Sequence, residues 1–231
     1  MPLTMNTGSA NDLLEGHTHR TLDFLLSELR LQTVGMGVLV VAQVKEAVQA
    51  LLTVDALLAA QVLSREEEVN YQQRTLEQAV FEILARHQLV AVDLRFALAV
   101  SRIVNQLERV GDEARKIAAF ATRVATGGSQ GPSGKTATYL RHMAELSTML
   151  LSEALHALDE SDLALAKTTA RRDIELDDEF AASLRSVFTL VMAGEPYLRA
   201  TVDTVFALKG LERVGDHAKN IADQVVFVIQ G

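Results

Sequence analysis

Six consecutive residues occur twice in this chain. Leu107-Glu-Arg-Val-Gly-Asp112 returns unchanged as Leu211-Glu-Arg-Val-Gly-Asp216. The similarity continues loosely, Glu-Ala-Arg-Lys-Ile-Ala against His-Ala-Lys-Asn-Ile-Ala, and Arg65-Glu-Glu-Glu-Val-Asn70 resembles Arg172-Asp-Ile-Glu-Leu-Asp177. A repeat of this kind requires two copies of one structural unit. The boundary between them is legible. Thr126 to Thr136 holds four of the 13 glycines and one of the three prolines, and reads as a linker.

The texture on both sides of that linker is helical. Prolines are few, Ala and Leu abound, and no stretch alternates as a strand does. Apolar residues recur at helical spacing over about 17–52, 54–87 and 90–126 in the first half. In the second half they do so over about 136–159, 162–193 and 197–229, with Gly194-Glu195-Pro196 marking a helix end. The expected fold is all-α: two pseudo-symmetric three-helix bundles built from six long antiparallel helices. Residues 1–15 are expected to be a flexible N-terminus, 16–125 the first bundle, 126–136 the linker and 137–231 the second bundle.

Composition narrows the chemistry. With no cysteine, disulfides, thiol nucleophiles and sulfur-ligated metals are excluded. A net charge of −8, no Trp and few aromatics argue against nucleic acid. The longest uncharged apolar run of the first half, Leu31 to Val44, ends at Lys45-Glu46 and is short for a membrane span. A cytoplasmic protein is expected.

The acidic residues carry the remaining signal. Glu108/Asp112 and Glu212/Asp216 stand four apart on one helix face, where like charges repel. Arg109, Arg115 and Arg213 are nearby candidates for partial compensation. Both pairs lie opposite their own helix's apolar stripe. Each encloses a glycine, Gly111 or Gly215, which costs about 1 kcal/mol against Ala in a helix interior. Such a glycine implies close approach of another helix or a ligand. Asp173/Asp177 is a third such pair, beside the stripe of Phe180, Leu184, Val187 and Val191. Glu66/Asn70 occupies the equivalent place in the first half. Carboxylates near an apolar face need a partner, and a hard cation with oxygen ligands supplies one.

The sites for catalysis are sparse. A di-iron oxygenase would need Glu-x-x-His, yet glycine stands three residues after Glu108 and Glu212. Gly131-Pro-Ser-Gly-Lys-Thr136 lacks the first glycine and the preceding strand of a phosphate loop. Of the six histidines only His217, beside Asp216, suggests a supporting role.

The two Leu-Glu-Arg-Val-Gly-Asp copies, the continuation His217-Ala-Lys-Asn-Ile-Ala-Asp223, the near-terminal Val228-Ile-Gln-Gly231 and Ile83–Arg95 resemble the PhoU family from about residue 15 onward. The resemblance implies an all-helical, non-enzymatic cytoplasmic regulator of phosphate uptake, peripheral at the inner face of the membrane. It implies partnership with a phosphate ABC transporter and a sensor histidine kinase, with the phosphate-starvation response damped when phosphate is plentiful, and a homodimer. It further implies metal ions (Mg, Mn, Fe, Ni or Zn) on Glu/Asp-x-x-x-Asp motifs. These match Glu108, Asp112, Glu212, Asp216, Asp173 and Asp177, with Glu66 contributing to a first-half site in which Asn70 replaces a carboxylate. Leu89 stands where the family usually has proline, a difference that bears on the turn before the third helix. Two other readings stay open: a carboxylate-metal hydrolase of phosphate compounds, and a metal-free helical scaffold.

Overall fold

A computed structural model describes residues 8–128, 130–132, 134–192 and 198–231. The elements are α1 (Gly8–Thr53), α2 (Ala56–Ser64), α3 (Glu66–Arg86), α4 (Ala91–Thr126), α5 (Gly134–Glu160), α6 (Leu163–Met192) and α7 (Leu198–Gln230). The all-α architecture stands as expected. Two boundaries differ. The first helix starts at Gly8, within the stretch expected to be flexible, and α5 starts at Gly134, inside the expected linker. The Gly194-Glu195-Pro196 stop lies outside the described residues.

The second helix is interrupted at Arg65, whose backbone N–H bonds the Val62 carbonyl 3.2 Å away, a tighter turn than the α-helix makes. The equivalent Arg172 lies inside the continuous α6. No glycine or proline marks the interruption in the sequence.

Each half packs three helical segments around an apolar core. Within a half, contacts run in opposite chain directions. Gln73 meets Asn105 while Glu66 meets Arg115 on α3 and α4. Asp173 meets Lys219 while Phe180 meets Lys209 on α6 and α7.

The halves join through two further antiparallel pairs. On α4 and α7, Arg95 reaches the Val228 carbonyl, Glu113 pairs with Arg213, and Arg123 pairs with Asp203. On α1 and α5, Arg30 donates to the Asp159 carbonyl, and Gly37 lies against Leu155 so closely that a Cβ would overlap the leucine. Each half thus offers its first and third helices to the same helices of the other. That is the arrangement a pseudo-twofold repeat requires.

Equivalence extends to the turns. α1 ends with Val54 at φ 56° and α5 with Ser161 at φ 53°. The next residue, Asp55 or Asp162, bonds five residues back, to the Ala50 or Ala157 carbonyl, at 2.9 Å. Both are Schellman closures, made without the usual glycine. The same aspartates cap the following helices through their side chains. Glu46–Arg65 and Glu153–Arg172 are equivalent ion pairs across the two turns.

By length and composition, Thr21–Thr53 of α1 is long and apolar enough to cross a membrane, which counting only uncharged runs had missed. In this fold Met36, Val40 and Val44 of that helix are fully buried in the core.

The repeated glycines mark close helix approach, as their spacing predicts. A Cβ on Gly215 would fall 2.0 Å from Leu176 Cδ2 of α6. On Gly111 the nearest atom would be Val69 Cγ1 of α3 at 3.3 Å. Gly215→Ala therefore overpacks the α6–α7 contact and should lower stability by about 1–3 kcal/mol. Gly111→Ala, with a smaller clash set against the better helix propensity of alanine, should stay within about 1 kcal/mol of the parent. Urea unfolding of both variants measures the difference, and equal losses would contradict the packing described.

Candidate metal centre

Each half brings acidic residues of two helices together. In the second half, Asp173 and Asp177 on α6 face Asp216 on α7. Burial and then Asp173 hold the Asp216 carboxyl above the ordinary carboxylate range. Burial, Asp173 and Asp216 do the same to Asp177. Asp173 is itself almost fully buried, at 2% exposure. Its Oδ2 accepts from Lys219 Nζ at 2.9 Å, but its buried Oδ1 has no hydrogen-bond partner. A buried carboxylate oxygen left unpaired is costly, and a cation would satisfy it.

In the first half, Glu66 on α3 meets Glu108 and Asp112 on α4. Burial comes first, then Asp112 and Glu66, in raising the Glu108 carboxyl above its usual range. Arg115 stands between Glu66 and Asp112, with Nε 3.3 Å from one and 3.6 Å from the other. These are ion-pair distances without hydrogen-bond geometry, since Arg115 Nε has no hydrogen-bond partner.

Six of the seven predicted residues therefore fall into two clusters. Glu212 does not. It turns to Lys209, whose Nζ lies 2.6 Å from Oε1. The cause is local: Lys209 is one helical turn before Glu212, whereas the matching Asn105 bonds Glu77 and the Ser101 carbonyl instead and leaves Glu108 free to join its cluster. Among the described residues no three His, Asp or Glu side chains stand in ligating geometry. The clusters carry the donor chemistry of an oxygen-ligand site with cationic side chains among the donors.

Of the three arginines expected to offset the acidic pairs, Arg115 does so at ion-pair distance, while Arg109 and Arg213 partly offset Glu108 and Asp216 from farther away. Arg213 crosses to Glu113 on α4 at 3.3 Å. Arg109 pairs with no carboxylate among the described residues. The cations that sequence reasoning missed are Lys209 and Lys219. The signal for Lys219 was present, because the aligned blocks place it opposite Arg115, four residues after the repeated glycine.

Along α4 and α7 runs a groove of about 490 Å³ whose lining includes Arg109, Arg213 and His217 and reaches Asp112, Asp216 and Lys219 of the two clusters. His217 points across it rather than to Asp216. Its Nδ1 lies 2.8 Å from Gln106 Oε1.

Two helix-paired acidic clusters on a tandem three-helix repeat define a class: duplicated all-α bundle proteins with one acidic cluster per half. The sequence model described as the PhoU domain matches residues 33–121 and again 140–225. The chain belongs to the PhoU family. It is 34% identical over 220 residues to the "Phosphate-specific transport system accessory protein PhoU homolog" of Pseudomonas aeruginosa, covering 95% of this chain and 90% of that protein. To the accessory protein PhoU of Escherichia coli it is 27% identical over 218 residues, 94% and 89% of the two chains. The crystal structure of PhoU from Pseudomonas aeruginosa superposes with a TM-score of 0.85 at 35% identity, covering 90% of this chain and 99% of that one. That of the phosphate transport system regulatory protein PhoU from Streptococcus pneumoniae gives 0.82 at 25% identity, over 91% and 97%.

Burial, then Arg109, lowers the pKa of His217 from the ordinary 6.5. A group with a depressed folded pKa that is neutral in the fold opposes protonation. Its contribution to stability is complete above 6.5 and lost as pH falls below it. The His217 imidazole should titrate below 6.5 by NMR, and His217→Gln should lose less stability than the parent between pH 7 and pH 5. A midpoint at or above 6.5 would place His217 outside the buried groove.

Proposed function

We propose that this protein is a non-enzymatic accessory protein of phosphate uptake that binds divalent or iron-type cations at its two acidic clusters. The observation that carries the metal reading is Asp173, a buried carboxylate with one oxygen unpaired, facing two further carboxylates that are raised first by burial and then by neighbouring aspartates. Asp173, Asp177 and Asp216 hold the second-half ion, and Glu66, Glu108 and Asp112 the first-half ion. The bound cation supplies charge neutralisation between two helices. Glu212 serves as the partner of Lys209 rather than as a ligand.

The regulatory reading rests on family membership over nearly the whole chain and on the printed roles of the relatives as accessory and regulatory proteins of phosphate transport. In this reading the protein is a cytoplasmic homodimer. It works as an adaptor between a phosphate ABC transporter and a sensor histidine kinase at the membrane's inner face, and damps the starvation response when phosphate is plentiful. The hydrolase alternative gains no observation: His217, its candidate base, has Nδ1 engaged with Gln106.

Chelator-stripped protein should bind Mn2+, and Asp173→Asn with Asp216→Asn should abolish second-half uptake. Because the raised carboxyls favour their protons in the folded chain, their own contribution to the stability of the metal-free protein falls as pH rises from about 4. Added Mn2+ should thus raise Tm more at pH 7.5 than at pH 5, where protons compete for the ligands. Equal shifts at the two pH values would count against carboxylate ligation. Deleting the gene should raise output from a phosphate-starvation promoter at high phosphate. Unchanged output would remove the regulatory reading.

A further inference from the structure

Each acidic cluster contains its own cation at the same place in the repeat. Arg115 and Lys219 both stand four residues after the repeated glycine, on α4 and α7. Each reaches the equivalent acidic residue of the neighbouring helix: Arg115 reaches Glu66, and Lys219 reaches Asp173. Both side chains are substantially exposed, Arg115 at 37% and Lys219 at 44%, while the carboxylate held by Lys219 is at 3%. Lys219 can therefore swing into solvent without disturbing the core, whereas Asp173 cannot leave and Arg115 has first to withdraw a buried Nε. Carboxylate crowding favours a resident positive charge, and each half supplies one from its own third helix.

We propose that Arg115 and Lys219 are tethered counter-cations that hold the two clusters in the metal-free chain and are displaced when a metal ion loads. The reading rests on the metal binding proposed above. It also makes the two halves unequal. Lys219 engages one oxygen of one carboxylate and leaves Asp173 Oδ1 unpaired. Arg115 lies within ion-pair distance of two carboxylates. Its guanidinium cannot shed its charge, and its planar fork suits several oxygens at once. The first-half cluster also has Asn70 where the second has Asp177. The second-half centre loads first, at lower metal concentration.

Titration of Mn2+ into the chelator-stripped full chain tests this, comparing the parent with Lys219→Met, Lys219→Gln and Arg115→Met at one ionic strength, each checked for helix content. Removing Lys219 should tighten the stronger class of sites by up to roughly fivefold, the most that a half-exposed ion pair is usually worth. Removing Arg115 should tighten the weaker class. Without metal, the Lys219 variants should melt below the parent, and Mn2+ should close that gap. If the parent binds Mn2+ and all variants bind equally or more weakly, the displacement proposal is overturned and metal binding survives. If only the variants bind, the cations hold the clusters permanently, and both the displacement proposal and the metal reading of the parent are overturned. If none binds, both readings fall.

Discussion

The antiparallel packing of α7 on α4 is the contact on which the rest of the molecule depends. Both helices carry the repeated hexapeptide, and both bury Leu, Val and Ala on one side: Leu107, Val110 and Ala114 on α4, and Leu211, Val214 and Ala218 on α7. Their other sides meet residues of the opposite half, with Arg213 on Glu113 and Arg123 on Asp203. Glu113 and Asp203 are nearly buried, so removing either partner would strand a charge in a poorly solvated place. A duplicated unit has to bury the surface that its partner leaves over, and here it does so with the helix that also carries the acidic pairs.

The acidic clusters follow from that placement. A helix occupied by core on one side and by the other half on another has little surface left for its carboxylates. They lie along the edge where the second helix of the same half passes. In the second half, at the Gly215 contact, Asp173 lies by Asp216, and burial first, then that neighbour, raises the Asp216 carboxyl above its ordinary range. The first half makes the same contact less tightly through Gly111, with a glutamate and an asparagine on the neighbouring helix. Two copies of one motif have thus become two electrostatic environments. One has a single buried carboxylate, Asp173, beside the exposed Asp177 and Asp216 and met by a lysine; the other has three part-buried carboxylates met by an arginine.

Much of this was legible before any coordinates. The exact hexapeptide repeat, the glycine-rich midpoint and the 3.6-residue apolar stripes led to two three-helix halves. Pairs at i and i+4 located six clustered carboxylates. The errors share a physical cause. Glu212 was grouped with Asp216 because spacing reports which side chains share a face, not which neighbour each prefers. Lys209, one turn away on the same helix, competes successfully for it. The helix starts at Gly8 and Gly134, and the break at Arg65, had no glycine or proline signal of the usual kind. The glycine-free turns at Val54 and Ser161 are held by five-residue closures and by the aspartate caps of Asp55 and Asp162.

By itself the sequence determined the helices, their duplication and the faces on which charge accumulates, since these are properties of local period and spacing. Only the tertiary structure decided which carboxylates meet, which of them is buried, and which cation accompanies each cluster. Those outcomes depend on the distance between helices that are 40 to 50 residues apart in the chain. At the two contacts Leu176 packs against Gly215 and Val69 against Gly111, where a Cβ would crowd the neighbouring side chain. In a crowded cluster an ångström of approach decides whether a carboxylate keeps its water or needs a cation.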